Sequence, residues 1–246
     1  MNDSRRLELP VRVRFDEATP AGHCRASAHL RAMQDVAWAH STSLGFDLSW
    51  YRTRDRFWLV RCLMLEVLLP VEPGTGLTVS TEVTAMRRIW ARRESDFSTA
   101  DGTLVAHGLA DWVMTTGEGT PTRIPEELIA RFGGPERLEP AHVESADPPA
   151  DASITRITVA LRDLDPMGHA NNAVHVDWLD EAVTRAGGES LPNATPRRYH
   201  LEYLAPAARD ASLVAFTWPD GDGWRCALRA ENGAEVLRAT LRPGPA

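Results

Sequence analysis

The sequence predicts an α+β protein in which an antiparallel sheet wraps around a long helix, and it predicts that plan twice. Each half runs strand, polar turn, long helix and then a series of strands joined by turn residues, an order that a parallel α/β sheet cannot take. The turn before each helix repeats a Pro-x-Gly-His core, Pro20-Ala21-Gly22-His23 and Pro166-Met167-Gly168-His169. A stretch rich in Pro, Gly, Ala and acid, "GGPERLEPAHVESADPPADAS", lies between the halves and reads as a linker. Aligning the two turns also pairs His29 with His175 and Asp35 with Glu181, as an internal duplication would.

In the first half, "LELPVRVRF" alternates apolar residues with polar ones and reads as a half-exposed strand. Pro and Gly in "DEATPAGHC" break it into a turn. Leu30, Met33, Ala37, His40 and Leu44 then recur at helical spacing from Ala26, and Gly45 is the expected stop. Four strands follow, "FWLVRCLMLEVLLP", "GLTVSTEVTAM", "IWARRESDFSTA" and "TLVAHGLADWVMTT", with Asp101-Gly102 a hairpin signal between the last two. In the second half "SITRITVAL" is a strand and "RDLDPMGHANN" the turn. "AVHVDWLDEAVTRAG" is a helix with an apolar stripe of Val174, Trp178, Ala182 and Ala186, ended by Gly187-Gly188. "RRYHLEYLA", "ASLVAFTWP", "WRCALRA" and "EVLRATLR" complete it as strands. The expected division is residues 1–132, a linker over 133–152, and residues 153–246.

Composition removes several function classes. All 27 basic residues are arginine, so neither a Schiff-base lysine nor a P-loop lysine exists. A net charge of −7 argues against general nucleic-acid binding, which needs an excess of cations. The longest apolar run, "LMLEVLLPV", is too short to span a bilayer. "MNDSRRLELP" lacks the apolar core of a secretory signal, so the expected compartment is the cytoplasm. Cys24, Cys62 and Cys226 are odd in number and widely spaced, against a disulfide framework or a zinc site. No metal-ligand spacing such as HExxH occurs, and no metal or cofactor is expected.

The segment "DLDPMGHANN", residues 163–172, carries the chemistry. Asp165 precedes a predicted helix, whose unpaired N–H groups and dipole favour negative charge. There it would deprotonate water or attack an acyl carbon itself, or else simply start the turn. Backbone N–H groups from Gly168 to Asn172 would receive a developing oxyanion, with Gly168 allowing close approach. His169 reads either as a hydrogen-bonding partner of substrate or water or as a packed structural histidine. Asn171 and Asn172 read as holders of the loop or substrate, one of them as the helix N-cap. In the first half Thr19 stands where Asp165 does in the second, so that half is expected to keep the shape without the chemistry. Gln34 and Asp35 on its helix are the exception, able to face the neighbouring site. Glu181 is a helix carboxylate of either catalytic or solvent-facing type.

At this point the chain resembles a known family. "DLDPMGHANNAVHVDWLDEA" is similar to the D-x-D-x-x-G-H-x-N-N segment of hotdog acyl-thioester hydrolases. "LRAMQDVAWAH", "MRRIW", "WVMTT", "RIPEEL" and "LEYLAPAARD", in that order, resemble the tandem-hotdog acyl-ACP thioesterases, bacterial relatives of the plastid enzymes. The resemblance implies two tandem hotdog domains, hydrolysis of a fatty acyl thioester in the second, and acyl-chain binding mostly in the first. It implies acyl carrier protein or CoA as the thiol carrier and either a monomer or a homodimer. Trp58 and other Trp and Met residues would help line an apolar acyl pocket. Arg87, Arg88, Arg92 and Arg93 read either as a solvated face or as a docking patch for the acidic carrier. Two departures stand out: Met167 replaces the plastid family's Asn two residues after the active-site Asp, and Pro206-Ala207 replaces its Glu-Cys pair. Other readings are a hotdog dehydratase and a non-catalytic acyl-thioester sensor.

Overall fold

Residues 5–133 and 138–244 are described by the computed structural model of the chain. Strands β1 (Arg6–Arg12), β2 (Phe57–Val67), β3 (Gly76–Arg87), β4 (Trp90–Ser98) and β5 (Leu104–Thr115) come from the first half. The second supplies β6 (Ser153–Thr158), β7 (Arg197–Tyr203), β8 (Ser212–Asp220), β9 (Gly223–Ala230) and β10 (Glu235–Pro243). All ten join one antiparallel sheet in the order β1-β3-β4-β5-β2-β7-β10-β9-β8-β6. Read outward from the centre, β2-β5-β4-β3-β1 mirrors β7-β10-β9-β8-β6, strand for strand. The halves meet where β2 pairs β7, from Cys62 opposite Glu202 to Val67 opposite Arg197, so one continuous sheet replaces two separate ones.

Helices α1 (Ala26–Ser43) and α4 (Asn172–Arg185) pack on this sheet and on each other. Leu30, Met33, Val36 and His40 give α1 a buried face at three- and four-residue spacing. Gly45, at φ +89°, ends that segment as expected. On α4 the deeply buried face is Ala173, Val176, Leu179 and Val183. Of the stripe expected there, Val174 and Ala182 are buried and Trp178 is half-buried. An Arg31–Asp177 ion pair of 2.9 Å links the two helices.

Two short helices, α2 (Leu48–Thr53) and α3 (Glu126–Phe132), escape a reading by periodicity because neither completes two turns. Asp47 caps α2, its Oδ1 accepting the Trp50 N–H at 2.8 Å. Phe46, Tyr51, Met114, Leu128 and Phe132 form a second apolar cluster beneath them.

The linker is a pinned strap. Asp111 on β5, fully buried, accepts the Ala141 N–H at 2.7 Å, and Glu202 on β7 accepts the Val143 N–H at 3.0 Å. Arg225 on β9 donates to the Glu144 carbonyl at 2.7 Å. Composition read the segment as a spacer, but its backbone has sheet partners that composition cannot show. Residues 134–137 of the expected linker lie outside the described residues.

Candidate active site

Asp165 sits in a tight turn that its neighbours hold rigidly. Its N–H donates to the His169 carbonyl at 2.9 Å, and the Gly168 N–H donates to the Asp165 carbonyl at 2.9 Å. Gly168 has φ +83°, a conformation that disfavours any residue with a Cβ. The Ala170 N–H then donates to the Ala207 carbonyl at 2.8 Å, tying the turn to the loop after β7. The first half repeats this set: Thr19 N–H to His23 carbonyl, Gly22 N–H to Thr19 carbonyl, and Cys24 N–H to Val71 carbonyl, at 2.8, 2.8 and 2.7 Å.

Within the turn, Asp165 Oδ1 accepts the Met167 N–H at 2.8 Å. His169 Nδ1 lies 3.8 Å from the same oxygen, longer than a hydrogen bond. Their side chains are 15% and 25% exposed, enough to meet a substrate without facing bulk water. Oδ2 is the oxygen left to engage a water or an acyl carbon.

The helix start differs from the expectation. α4 begins at Asn172, and Asn171 is its N-cap, with Oδ1 accepting the Ala173 N–H at 2.9 Å. Asp165 therefore lies a full turn of chain before the helix, and its carboxylate is held by the Met167 amide rather than by the helix's first N–H groups. The amides of Gly168, Ala170 and Asn171 are bonded to Asp165, Ala207 and Asp163 carbonyls. The expected row of oxyanion donors shrinks accordingly, to the His169 N–H in the turn and the Asn172 N–H at the helix's first position.

Other expected site residues separate. Glu181 is exposed and pairs with Arg185 one turn on, which removes it from substrate binding. Trp58 packs on the second apolar cluster and donates Nε1–H to the Tyr51 hydroxyl at 3.2 Å, so it belongs to that cluster's wall. The arginine run divides: Arg87 and Arg88 are exposed, whereas Arg92 and Arg93 are held inside the fold. Arg92 grips buried Asp111 through two bonds of 2.7 and 2.8 Å. The Arg93 guanidinium is buried against His40 Nδ1 (3.0 Å) and Thr81 Oγ1 (3.1 Å), and burial lowers its pKa to about 10. Neither is available to a partner.

Gln34, by contrast, lines a cavity between α1 and the sheet, together with Leu30, Met33, Leu63, Arg93 and Trp112. Its volume is about 10 Å³, room for about one water. The offset that pairs His23 with His169 pairs Gln34 with Asp180, a residue the sequence reading passed over. "LEVLLP" and "LEYLAP" likewise pair Leu65 with Leu201, and so Leu63 with Tyr199. Where the first half has Gln34 and Leu63, the second has a buried polar group. Tyr199 donates its hydroxyl to Asp180 Oδ1 at 2.9 Å, and Arg197 Nε donates to the Tyr199 oxygen at 3.1 Å. Burial raises the Asp180 carboxyl to about 7. His29 and His175 match as expected: each turns Nδ1 to a carbonyl four residues earlier, and burial lowers each to about 4.

The profile of the acyl-ACP thioesterase N-terminal domain matches residues 8–132, and that of the C-terminal domain matches residues 146–238. The chain belongs to the acyl-ACP thioesterase family. A dodecanoyl-[acyl-carrier-protein] hydrolase of Cinnamomum camphora chloroplasts is 27% identical to it over 252 aligned residues, 92% of this chain and 64% of that protein. The chain thus spans less than two-thirds, from 48% to 64%, of the length of the curated relatives it matches. Its fold is shared with a candidate oleoyl thioesterase of Lactobacillus plantarum (TM-score 0.87, 17% identity, 100% and 99% of the two chains). The 12:0-ACP thioesterase of Umbellularia californica also shares it (TM-score 0.80, 22% identity, 98% of each chain). In this acyl-ACP thioesterase family member the Pro206-Ala207 position lies directly beside the turn, since Ala207 accepts the Ala170 N–H and Ala208 bridges His169. It contributes a ring and a methyl group where the plastid pattern has a carboxylate and a thiol. Met167 is 44% exposed at the turn's tip. Asp165 and His169 stand at the pattern's acid and histidine, and Asp163, Asn171 and Asn172 at its other polar positions.

Proposed function

We propose that this chain hydrolyses a fatty acyl thioester of acyl carrier protein to the free acid and the carrier thiol, at Asp165. The half-buried Asp165–His169 pair, fixed by a turn that permits little rearrangement, carries the reading. Asp165 Oδ2 takes a proton from the water that attacks the carbonyl carbon and passes it to the departing thiolate, or attacks that carbon itself, expelling the thiolate and forming an anhydride that water then hydrolyses. His169 steadies the water or the departing sulfur, and the Asn172 N–H meets the developing oxyanion. Asn171 acts through the cap that sets the helix start, and Gly168 through the turn.

We read the molecule as two tandem hotdog domains, residues 1–132 and 153–246, joined by the linker over 133–152 that contains the strap. The mirrored strand order and the repeated turn support that division. We extend it to the acyl chain. The Arg25 charge acts on Asp180, and the Arg197 charge acts on Cys24 and His29, which supports a first-half turn near α4 and β7. By the correspondence between the halves, we take the Asp165 loop to approach the counterparts of Asp180 and Tyr199, namely Gln34 and Leu63. Those residues line the cavity beside α1, which we assign to the acyl tail.

Thiol release from acyl-ACP and acyl-CoA panels, by the parent and by Asp165→Asn, tests the proposal. Turnover is expected to fall by about 100-fold or more, the scale of a positioned base. Equal rates would remove Asp165 from the chemistry. Faster hydrolysis of CoA esters would move the carrier assignment, and no release from any thioester would favour a sensor or dehydratase.

A further inference from the structure

We infer that Met33 sets the length of acyl chain that the cavity beside α1 accepts; this rests on the assignment of that cavity to the acyl tail. With room for about one water, the cavity admits a chain of methylenes only if a lining side chain moves. Val60, Leu63 and Ala110 project from paired strands β2 and β5 and have little freedom. Arg93 is anchored through His40 and Thr81 and stacks over Phe132 at 5.8 Å, closing the end toward the carboxyl terminus of α1. Met33 is different. It is buried, unbranched and free of polar bonds, and its Sδ rests where Gly108 on β5 leaves space. A Cβ on Gly108 would come within 2.4 Å of that sulfur. The methionine is therefore a movable wall, parked in a gap that exists because residue 108 has no side chain.

Two substitutions push this wall in opposite directions, and neither touches the Asp165 turn. Met33→Ala removes the wall and lengthens the channel. Gly108→Ala fills the parking place and forces Met33 toward the cavity, a cheap displacement because a flexible side chain is what must yield. One methylene in an apolar pocket discriminates by about 10-fold or more. The ratio of kcat/KM for 14-carbon over 8-carbon acyl-ACP is thus expected to rise about 10-fold in Met33→Ala and to fall by a similar factor in Gly108→Ala. Calorimetric binding of saturated fatty acids of 8 to 16 carbons supplies a second readout that does not need hydrolysis. Thermal melts establish that each variant is folded, and Met33→Val replaces Met33→Ala if the latter is not. Shifted fatty-acid binding in a chain that hydrolyses no thioester would keep the length gate and sink the hydrolase reading. Folded variants of both positions with the parent's chain-length profile, in hydrolysis and in binding, would overturn the gate.

Discussion

Removing the Asp180 carboxylate should change how stability responds to pH, by an amount the structure allows to be worked out. Its carboxyl is buried beside Tyr199, whose hydroxyl donates to it, and burial raises its pKa from 3.8 to about 7. Between those values the unfolded chain has lost the proton and the folded chain still holds it. The folded state then binds more protons, so stability falls as pH rises from about 4 to about 7 and is level above. A shift of roughly three units corresponds to at most about 4 kcal/mol. His29 and His175 act in the opposite sense: buried and neutral, with pKa lowered to about 4, they make the fold lose stability as pH falls below about 6.5. The raw profile of the parent mixes these slopes, and subtraction separates them. Urea unfolding of the parent and of Asp180→Asn at half-unit steps from pH 4.5 to 8.5 should give a difference that grows in favour of the variant up to about pH 7. Asparagine can still accept from Tyr199, so the local bond survives. Parallel profiles would mean that Asp180 ionises freely in the folded chain, and the account of a sealed polar group in the second half would fail.

The strap and the turn give two further expectations. Asp111→Ala leaves Arg92 facing a buried void and frees the Ala141 amide. Since Arg92 is about a quarter exposed, the cost should lie near the lower end of the buried-pair range, about 3 kcal/mol, or roughly 6–12 °C in melting temperature; a loss under about 1 kcal/mol would show the pair to be ornamental. Gly168→Ala meets no atom within 4 Å but demands φ +83° of a residue with a Cβ. It should cost about 1–2 kcal/mol of stability and, by tilting Asp165, about 10-fold or more in kcat. Unchanged kinetics would show that the turn need not be rigid.

Sequence sufficed where a pattern is local. Alternation, helical spacing and turn residues located every strand and both long helices, and Gly102, at φ +86° between β4 and β5, sits where the Asp-Gly signal put it. It failed where the determinant is a partner far along the chain. Arg92 and Arg93 look like a surface patch because a run of four arginines in seven residues gives no hint of Asp111 or His40. Asn171 and Asn172 were both credible caps, and only the Ala173 amide chose between them. Glu181 drew notice because it aligns with Asp35, whereas the informative carboxylate was its neighbour Asp180, aligned with Gln34. Helical spacing resolves a face to within one residue, and here that residue decides between solvent and core.

The duplication also explains why one chain carries one site. A symmetric pair would have two turns with an acid and two apolar slots beside the helices. On the proposed reading, this chain keeps the acid in the second turn and the slot in the first half. On that reading the complementary pair has lost both functions together: Thr19 stands in place of the acid, and Asp180, Tyr199 and Arg197 hydrogen-bond where the counterpart of the slot would lie. Filling that space with hydrogen-bonded polar groups costs no function when nothing must bind there. A single substitution such as Leu63→Tyr in the proposed slot should accordingly abolish turnover and also lower the melting temperature, because the slot has room for about one water and lacks the Asp180 and Arg197 partners that hold Tyr199.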